Sequence, residues 1–499
     1  MNLSKKLLSG SAIQLSNLLL EILIGFLLVP FLITNLTPEK YGLWILVMSM
    51  VSFLGLLTLG LSSAVQRYLS VEISSGNVKE YKQTISSSLF VFILTGILCV
   101  LISIGLGLSA QSFVENNELS QEFRILILLM GCNVAVKFIA TPFRAALTAE
   151  FKFILVSGTD ILVLLIKSLL TIYFVLNEFG VIAVGLAILI GEASGNILLA
   201  IITKLSLKDF IFSIRDIKKS KVATLFKYSV NSFIASIGDM FRFPIDNIII
   251  STYIGLSAVT IYSIPVRLLS YASAFILQTL GVLQPLFAKL HAEGNLDNIR
   301  SKFQLSNYLS FGIGSLLASG LIIFGADFIT LWIDNYDETQ VLTWILPLTL
   351  LCGVAQQPSV MLLYALGAHR YYAFLNIIEA ICNVIISLAL VSKFGVIGVA
   401  IGTLIPMFIT KVLILPRYVC KQVNIENKAY YLIMLKSFTF CLCFTVIALG
   451  IKPNTSNWLE LLPLTLIYAF VYVVCFILIV VKETNRNLLI NYLKAGIGK

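Results

Sequence analysis

The stretch FGVIAVGLAILIG, residues 179–191, contains no charged residue and consists of small and apolar side chains. It begins an apolar segment that we place at residues 180–203. A helix needs about 20 apolar residues to cross the roughly 30 Å hydrocarbon core of a bilayer, so this segment is long enough. Barrel strands instead alternate in polarity over about ten residues. The stretch therefore predicts a transmembrane helix.

Similar apolar runs recur along all 499 residues, of which 58% are hydrophobic and 12% are charged. A water-soluble globular domain carries about 25% charged residues, so that class of protein is excluded. We predict an all-α polytopic membrane protein with about 14 transmembrane helices. The predicted spans lie near residues 11–34, 42–66, 85–109, 123–146, 154–176, 180–203, 226–250, 259–287, 305–327, 342–367, 373–392, 395–416, 431–451 and 460–481.

Basic residues fall mainly in alternate loops between these spans. One side holds 25 of the 35 Lys and Arg residues, and the opposite loops hold four. This asymmetry is the positive-inside pattern, which places both termini in the cytoplasm of a cell (inner) membrane. The net charge of +10 therefore indicates membrane orientation, and we predict no nucleic acid partner. The N-terminal apolar segment lacks a small-residue cleavage site, so we interpret it as the retained first span.

Two pairs of similar segments indicate an internal duplication of the chain. The stretch FGVIAVGLAILIG from Phe179 is echoed by FGVIGVAIGTLIP from Phe394. The segment ATPFRAALTAEFKF from Ala140 resembles AQQPSVMLLYALGAHRYYAF from Ala355, each with a proline before a short basic and aromatic loop. Six spans thus occur twice, and both sets start in the cytoplasm, which predicts two lobes in parallel repeat.

This duplication predicts three regions along the chain. Residues 1–215 form an N-terminal six-helix lobe, with a basic linker over about 204–227. Residues 222–430 form the C-terminal six-helix lobe, and residues 431–499 hold helices 13 and 14 with a cytoplasmic tail. We interpret the linker both as a joint between rocking lobes and as an orientation signal or anionic-lipid contact.

Ionisable residues within the spans are the candidate functional residues, because a charge at mid-bilayer costs about 2.5–3.5 kcal/mol and should face a cavity or a partner. Six are acidic and six basic, before Arg67 and Arg144 near the cytoplasmic ends are counted. The candidates for binding an anionic substrate group are Lys137, Arg242, Arg267 and Lys411. The candidates for carrying a coupling proton or sodium ion are Glu21, Asp160, Glu192, Asp239, Asp246 and Glu379.

Each candidate has a second interpretation, namely that it only neutralises an opposite charge, and the sequence does not assign the pairs. Span seven is the densest, because Asp239, Arg242 and Asp246 share one helical face around Pro244. The eight cysteines have no CxxC spacing and the two histidines form no cluster, so we predict neither a metal site nor another cofactor.

Three stretches carry a resemblance to a known family: LVPFLITNLTPEKYGLW from Leu28, LGLSSAVQRYLS from Leu59 and DNIIISTYIGLSAVTIYSIPVRL from Asp246. With the two FGV openings, they make the chain similar to the oligosaccharide-flippase branch of the multidrug, oligosaccharidyl-lipid and polysaccharide exporter superfamily. The resemblance implies V-shaped lobes with a cationic cavity, and Asp246 and Arg267 lie where the span-seven and span-eight pattern matches. The balanced charges depart from that cationic cavity.

We therefore predict a flippase, and not an enzyme, that moves undecaprenyl-diphosphate-linked oligosaccharides from the inner to the outer leaflet by alternating access. Its partners would be membrane lipids, with a polysaccharide polymerase and glycosyltransferases as candidate protein partners. Cation-coupled multidrug efflux and flipping of a lipid-linked peptidoglycan precursor remain alternatives. Drug efflux requires an acidic cavity that binds hydrophobic cations. The equal numbers of acidic and basic residues within the spans disfavour this alternative.

Overall fold

The computed structural model describes residues 3–58, 60–207, 209–240, 242–281, 283–333, 337–483 and 486, and these residues include no β-strand. They cluster into two compact units, Met1–Thr260 and Ile261–Lys499. The helices of the first unit are α1 (Leu3–Asn35), α2 (Pro38–Leu54), α3 (Leu61–Ser74), α4 (Val78–Leu108), α5 (Asn117–Ala149), α6 (Phe153–Leu176), α7 (Ile182–Ser206), α8 (Lys219–Met240) and α9 (Arg242–Tyr253), with the start of α10 (Leu256–Leu280).

The second unit contains the rest of α10 and nine further helices. They are α11 (Leu283–Ala292), α12 (Leu296–Trp332), α13 (Leu342–Ile345), α14 (Leu348–Cys352), α15 (Gln357–Ala365), α16 (His369–Met407), α17 (Leu415–Gln422), α18 (Asn427–Ile451) and α19 (Trp458–Ile479). A π-helix, Phe408–Ile414, joins α16 to α17. The all-α membrane fold predicted from the sequence is confirmed.

Twelve stretches among the described residues are long and apolar enough to cross a bilayer. One of them, His369–Gln422, is 54 residues long and covers predicted spans eleven and twelve. The chain reverses within it at Gly395, whose φ of 56° is not helical. Predicted span seven corresponds to α8 and α9, which are not among the twelve. The structure therefore follows the predicted order of spans along the chain.

Two loops repeat the same backbone at equivalent places in the two units. Gly76 ends the loop after α3 with a φ of 67°, and Gly294 ends the loop after α11 with a φ of 69°. The residue after each glycine is an asparagine, Asn77 or Asn295, whose side chain accepts a hydrogen bond from the N–H three residues later. This side-chain bond caps the N-terminus of the long helix that follows.

The sequence echoes also have matching backbones. Gly180 and Gly395, the glycines of the two FGV openings, have φ values of 59° and 56°. Phe151 and Gly367, in the loops after the two proline-containing segments, have φ values of 58° and 70°. A left-handed backbone is costly for a residue with a side chain, so its recurrence at such places supports a duplicated chain.

The first compact unit extends past the predicted end of the N-terminal lobe because α2 and α9 pack closely. Asn247 donates a hydrogen bond to the Ser49 hydroxyl at 2.9 Å, and Thr260 donates one to the Pro38 carbonyl at 2.6 Å. A Cβ on Gly42 would lie 1.9 Å from the Leu256 carbonyl oxygen, so only glycine permits this approach. Packing thus joins span seven to the first unit, while the lobe boundaries drawn from the repeat stay a prediction.

The basic linker lies against the first unit. The backbone N–H groups of Ser213 and Lys218 donate to the hydroxyls of Ser86 and Ser87 on α4, each at 3.1 Å. The Phe210 ring packs on Phe143 with centroids 4.8 Å apart. These contacts fix the course of the linker on α4 and α5, so its described residues form an ordered segment.

Lys221, within the linker, forms salt bridges with Glu72 at 2.7 Å and Glu80 at 2.8 Å. Partial burial lowers the pKa of Lys221, but the bonds to the two carboxylates outweigh burial and raise it above its ordinary value. A lysine with a raised folded-state pKa contributes stability that is lost only as the pH rises through that value. The attachment therefore persists at neutral pH.

Candidate functional site

Close packing of α6 and α7 creates the main group of charges in the first unit. The sequence GEASG places glycines at 191 and 195, one helical turn apart on α7. A Cβ on Gly191 would lie 2.9 Å from the Lys167 Cβ, and one on Gly195 would lie 1.9 Å from the Val163 Cγ2. This small-residue spacing lets two membrane helices approach closely. It brings Lys167 of α6 beside Glu192 of α7.

Glu192 bridges two lysines from different helices. The Lys137 Nζ, on α5, lies 3.0 Å from the Glu192 Oε1, and the Lys167 Nζ lies 3.6 Å from the same oxygen. The Glu192 side chain is 15% exposed, whereas the Lys137 side chain is 47% exposed. One carboxylate therefore serves two ammonium groups, and Lys137 keeps donor capacity directed away from it.

A second pair lies on α5 and α6, nearer the cytoplasmic ends in the predicted topology. Arg144 donates two hydrogen bonds to Asp160, at 2.8 and 2.6 Å, in a fork arrangement. Such bidentate pairs fix the geometry of both side chains. Asp160 is thus held as a partner of Arg144, and both side chains remain partly exposed.

We call these five residues, Lys137, Arg144, Asp160, Lys167 and Glu192, the α5–α7 network. It contains three bases and two acids, so it carries a net positive charge when all are ionised. Charged groups within a membrane protein are expected to face a partner or a watery cavity. An excess positive charge with exposed donors is suited to hold an anionic group such as a diphosphate.

The second unit holds a different arrangement, a buried ion pair on α16 and the π-helix. The Lys411 Nζ lies 3.4 Å from the Glu379 Oε2, and the side chains are 3% and 6% exposed. Lys411 also bonds the Asn376 side chain and lies 4.2 Å from the centroid of the Tyr372 ring. Thr410 donates to Glu379 at 2.6 Å. The pair carries no net charge, and both side chains are buried among these partners. Its geometry therefore presents no exposed charged group to a ligand.

The π-helix explains how Lys411 reaches this pair. A π-helix inserts an extra residue per turn, and such insertions are frequent at functional sites. The segment follows Pro406, whose ring cannot supply a backbone N–H, and is followed by Pro416 within α17. The prolines therefore favour a local departure from the α-helix, and Lys411 points into the unit beside Glu379.

The remaining candidates occupy separate places. Asp246 is fully buried in the first unit. Glu21 on α1 and Arg267 on α10 are exposed, and neither has an ion pair among the described residues. The side chains of Asp239 and Arg242 lie outside the part of the chain that the structure describes. The structure thus joins Lys137 to Glu192 and Lys411 to Glu379, and it places Arg144 with Asp160.

Sequence reasoning missed several participants. Asn376, Thr410 and Tyr372 complete the buried pair, yet each is an ordinary helix residue in sequence. Lys167 is one of the six basic residues within the spans but not one of the binding candidates, although the GEASG spacing is a signal that it approaches α7. No group of three His, Cys, Asp or Glu residues that suits a metal ion occurs among the described residues.

Comparison with known proteins identifies the family. Residues 7–291 match the profile of the polysaccharide biosynthesis protein family, which covers more than half of the chain. The chain belongs to this family. The matched region contains the α5–α7 network and the first unit from residue 7 onward.

Similarity to individual proteins extends over nearly the whole chain. The chain is 21% identical over 96% of its length, and 97% of the relative, to the uncharacterized membrane protein EpsK of Bacillus subtilis (strain 168). It is 22% identical to the probable flippase AglR of Haloferax volcanii (strain ATCC 29605 and its equivalents), over 82% of each chain.

A solved structure has the same fold. The lipid II flippase MurJ, in an inward closed conformation, superposes with a TM-score of 0.71, covering 94% of this chain and 98% of that chain at 15% identity. At that identity the likeness shows fold alone. Fold, family and relatives together make this protein a multi-pass membrane protein of the flippase and transporter class.

Proposed function

We propose that this protein moves undecaprenyl-diphosphate-linked oligosaccharides from the inner to the outer leaflet by alternating access, for cell-surface polysaccharide synthesis. The single observation that carries the proposal is the α5–α7 network, which combines an excess of basic groups with exposed donors in the first unit. A diphosphate is a doubly charged acceptor, and basic side chains bind such groups by charge-assisted hydrogen bonds.

In this mechanism, the diphosphate approaches Lys137, whose side chain is the most exposed in the network. Lys137 then shares its hydrogen bonds between Glu192 and the phosphate oxygens, while Lys167 keeps Glu192 neutralised. Arg144 and Asp160 hold α5 and α6 in register. The prenyl chain stays in lipid, because its transfer into a polar passage would lose the hydrophobic stabilisation of about 0.8 kcal/mol per methylene.

Coupling to a proton or sodium ion is part of the proposal. Glu192 is the group in the network best placed for it, since its protonation, in a step after the diphosphate has approached, would release both lysines from the carboxylate to the anionic substrate. Loss of the proton would return the lysines to Glu192 and favour substrate release. Names of relatives agree with a flippase, because AglR is called a probable flippase and MurJ a lipid II flippase.

The location and partners follow from the same proposal. The excess of basic residues in alternate loops favours an inner-membrane protein with both termini in the cytoplasm. Glycosyltransferases that build the lipid-linked saccharide, and a polymerase that consumes it, are the protein partners we propose.

The test is the fate of the lipid-linked saccharide in a deletion strain. We expect the lipid-linked unit to accumulate on the cytoplasmic face and to return to normal when the wild-type chain is restored. A deletion strain with normal outer-face delivery and normal surface polysaccharide would contradict the proposal.

Two alternatives have separate readouts. Cation-coupled drug efflux predicts raised drug susceptibility in the deletion strain, and the positive excess of the α5–α7 network disfavours binding of hydrophobic cations. A peptidoglycan-precursor flippase predicts that the gene is essential for growth.

A further inference from the structure

A second basic site lies in the second unit, apart from the charges considered above. Lys428 and Lys436 on α18 and Lys482 just after α19 line a pocket of about 270 Å³, together with Glu426 and Tyr308. All three lysines are exposed, and none has an ion pair among the described residues. With one carboxylate against three ammonium groups, the pocket has an excess of positive charge.

The depth of Lys436 sets it apart from an ordinary loop lysine. It lies nine residues after the start of α18 at Asn427, which is roughly 13 Å along the helix at about 1.5 Å per residue. A lysine at that depth directs its ammonium toward the interface or binds an anion. Lys428 is two helical turns earlier on the same face, so both ammonium groups converge on the pocket.

An apolar groove adjoins the basic pocket. It has a volume of about 110 Å³ and lies between α12 and α19, with Leu309, Gly312, Val473 and Phe476 among its walls. A Cβ on Gly312 would lie 2.8 Å from the Phe476 ring, so glycine brings the helices close at the floor of the groove. Tyr308 lines both the groove and the basic pocket.

We propose that this continuous surface binds an anionic phospholipid of the leaflet that faces the Lys- and Arg-rich loops. Its phosphate lies among Lys428, Lys436 and Lys482, and one acyl chain lies in the groove between α12 and α19. Charge complementarity selects an anionic headgroup, and the apolar groove selects a hydrocarbon chain. Basic pockets between transmembrane helices on the cytoplasmic side bind such lipids. The site is distinct from the α5–α7 network and does not depend on the transported substrate.

The experiment titrates the purified full-length protein with phosphatidylglycerol and counts bound lipid by native mass spectrometry. We expect one tightly bound phosphatidylglycerol, and much weaker binding of phosphatidylcholine and of glycerol 3-phosphate. Lys436→Gln should weaken binding about fivefold, since each basic residue near an anionic surface contributes about 1 kcal/mol. The matched control Lys421→Gln changes an exposed lysine of the same unit outside the pocket and should leave the affinity unchanged.

The groove is tested separately with Val473→Trp, which fills it from an exposed position on α19. We expect this variant to lose phosphatidylglycerol, while Leu466→Trp, at another exposed position of α19, retains it. Both positions are exposed, so neither variant should disturb the folded core.

Four outcomes overturn the proposal. They are equal binding of phosphatidylcholine, equal binding of glycerol 3-phosphate, equal effects of Lys436→Gln and Lys421→Gln, and displacement of phosphatidylglycerol by undecaprenyl phosphate at equal concentration. The last outcome would assign the site to the transported lipid. Because no transport is measured, failure of this proposal is distinguishable from failure of the flippase assignment.

Discussion

In the first unit Lys137 keeps 47% of its side chain exposed beside Glu192, whereas in the second unit Lys411 keeps 3% beside Glu379. Both are intramembrane lysines paired with a glutamate at 3.0 and 3.4 Å, so distance does not distinguish them. Their surroundings do. Lys137 belongs to a network with surplus positive charge, while Lys411 has an amide, a hydroxyl-bonded carboxylate and an aromatic ring around it.

The comparison separates two roles that look identical in sequence. A pair that faces a watery passage exchanges partners at low cost, because water replaces the lost contacts. A buried pair cannot, because removing one partner leaves an uncompensated charge in a low-dielectric interior. This contrast supports the proposal that the α5–α7 network contacts the substrate, and it favours a structural role for the pair of Glu379 and Lys411.

The largest expected effect is on stability, at the buried pair. Lys411→Met should lower the free energy of unfolding by about 3–5 kcal/mol, because it leaves Glu379 buried without its partner. The measurement is denaturant unfolding of the purified protein in mild detergent.

The control is the double variant Lys411→Met with Glu379→Gln, which removes both charges. It should be more stable than Lys411→Met alone. A single variant as stable as the wild-type protein would mean that Lys411 is not part of a buried pair.

The next effect is on binding, at Lys137. Lys137→Gln should weaken binding of undecaprenyl diphosphate by about tenfold to hundredfold, since a hydrogen bond to a charged group contributes about 1.5–3 kcal/mol. Stability should change by less than about 1 kcal/mol, as for other exposed pairs. Equilibrium binding to the purified protein provides the readout. Arg124→Gln, at an exposed position of the same helix, is the control, and an equal loss in both variants would refute a specific role for Lys137.

A smaller effect is expected at the fork between Arg144 and Asp160. Arg144→Lys keeps the charge but removes one of two parallel hydrogen bonds, which should cost about 1 kcal/mol of stability. Arg370→Lys, at an exposed arginine with no ion pair among the described residues, should cost nothing measurable. Denaturant unfolding compares the two variants. Equal stability of Arg144→Lys and Arg370→Lys would mean that the second hydrogen bond of the fork does not stabilise the packing of α5 on α6.

The smallest effect is expected at Lys167. Its ammonium lies 3.6 Å from Glu192, which keeps Lys137 as a closer partner. Lys167→Gln should therefore alter stability by only about 0.2–1 kcal/mol, with a weaker loss of diphosphate binding than Lys137→Gln. If Lys167→Gln had the larger effect on binding, the order of the two lysines in the mechanism would be reversed.

Most of the fold was predictable because the bilayer imposes simple rules. Apolar runs of span length, and the echoes at Phe179 and Phe394, follow from hydrocarbon thickness and chain duplication. Span seven was harder, because its charges and Pro244 lower its apolar content. The close approach of Gly42 to Leu256 is a contact between distant segments, which no local pattern predicts.

The candidate site was predictable in its members but not in its pairs. Lys137, Asp160, Glu192, Glu379 and Lys411 were found from the cost of intramembrane charge alone. Which lysine meets which carboxylate depends on helix rotation and on the π-helix before Pro416, and these are set by tertiary packing. The exposure of Lys137 and the burial of Lys411, which distinguish the two pairs, also depend on how the helices pack and cannot be predicted from the sequence.

Translocation in reconstituted vesicles tests the central claim most directly. Vesicles containing the wild-type protein should deliver an undecaprenyl-diphosphate-linked oligosaccharide to the opposite leaflet, measured by its access to an added glycosidase. Lys137→Gln should reduce that delivery toward the level of protein-free vesicles, while Arg124→Gln keeps it. Delivery no faster than in protein-free vesicles, or delivery by Lys137→Gln at the wild-type rate, would contradict the account.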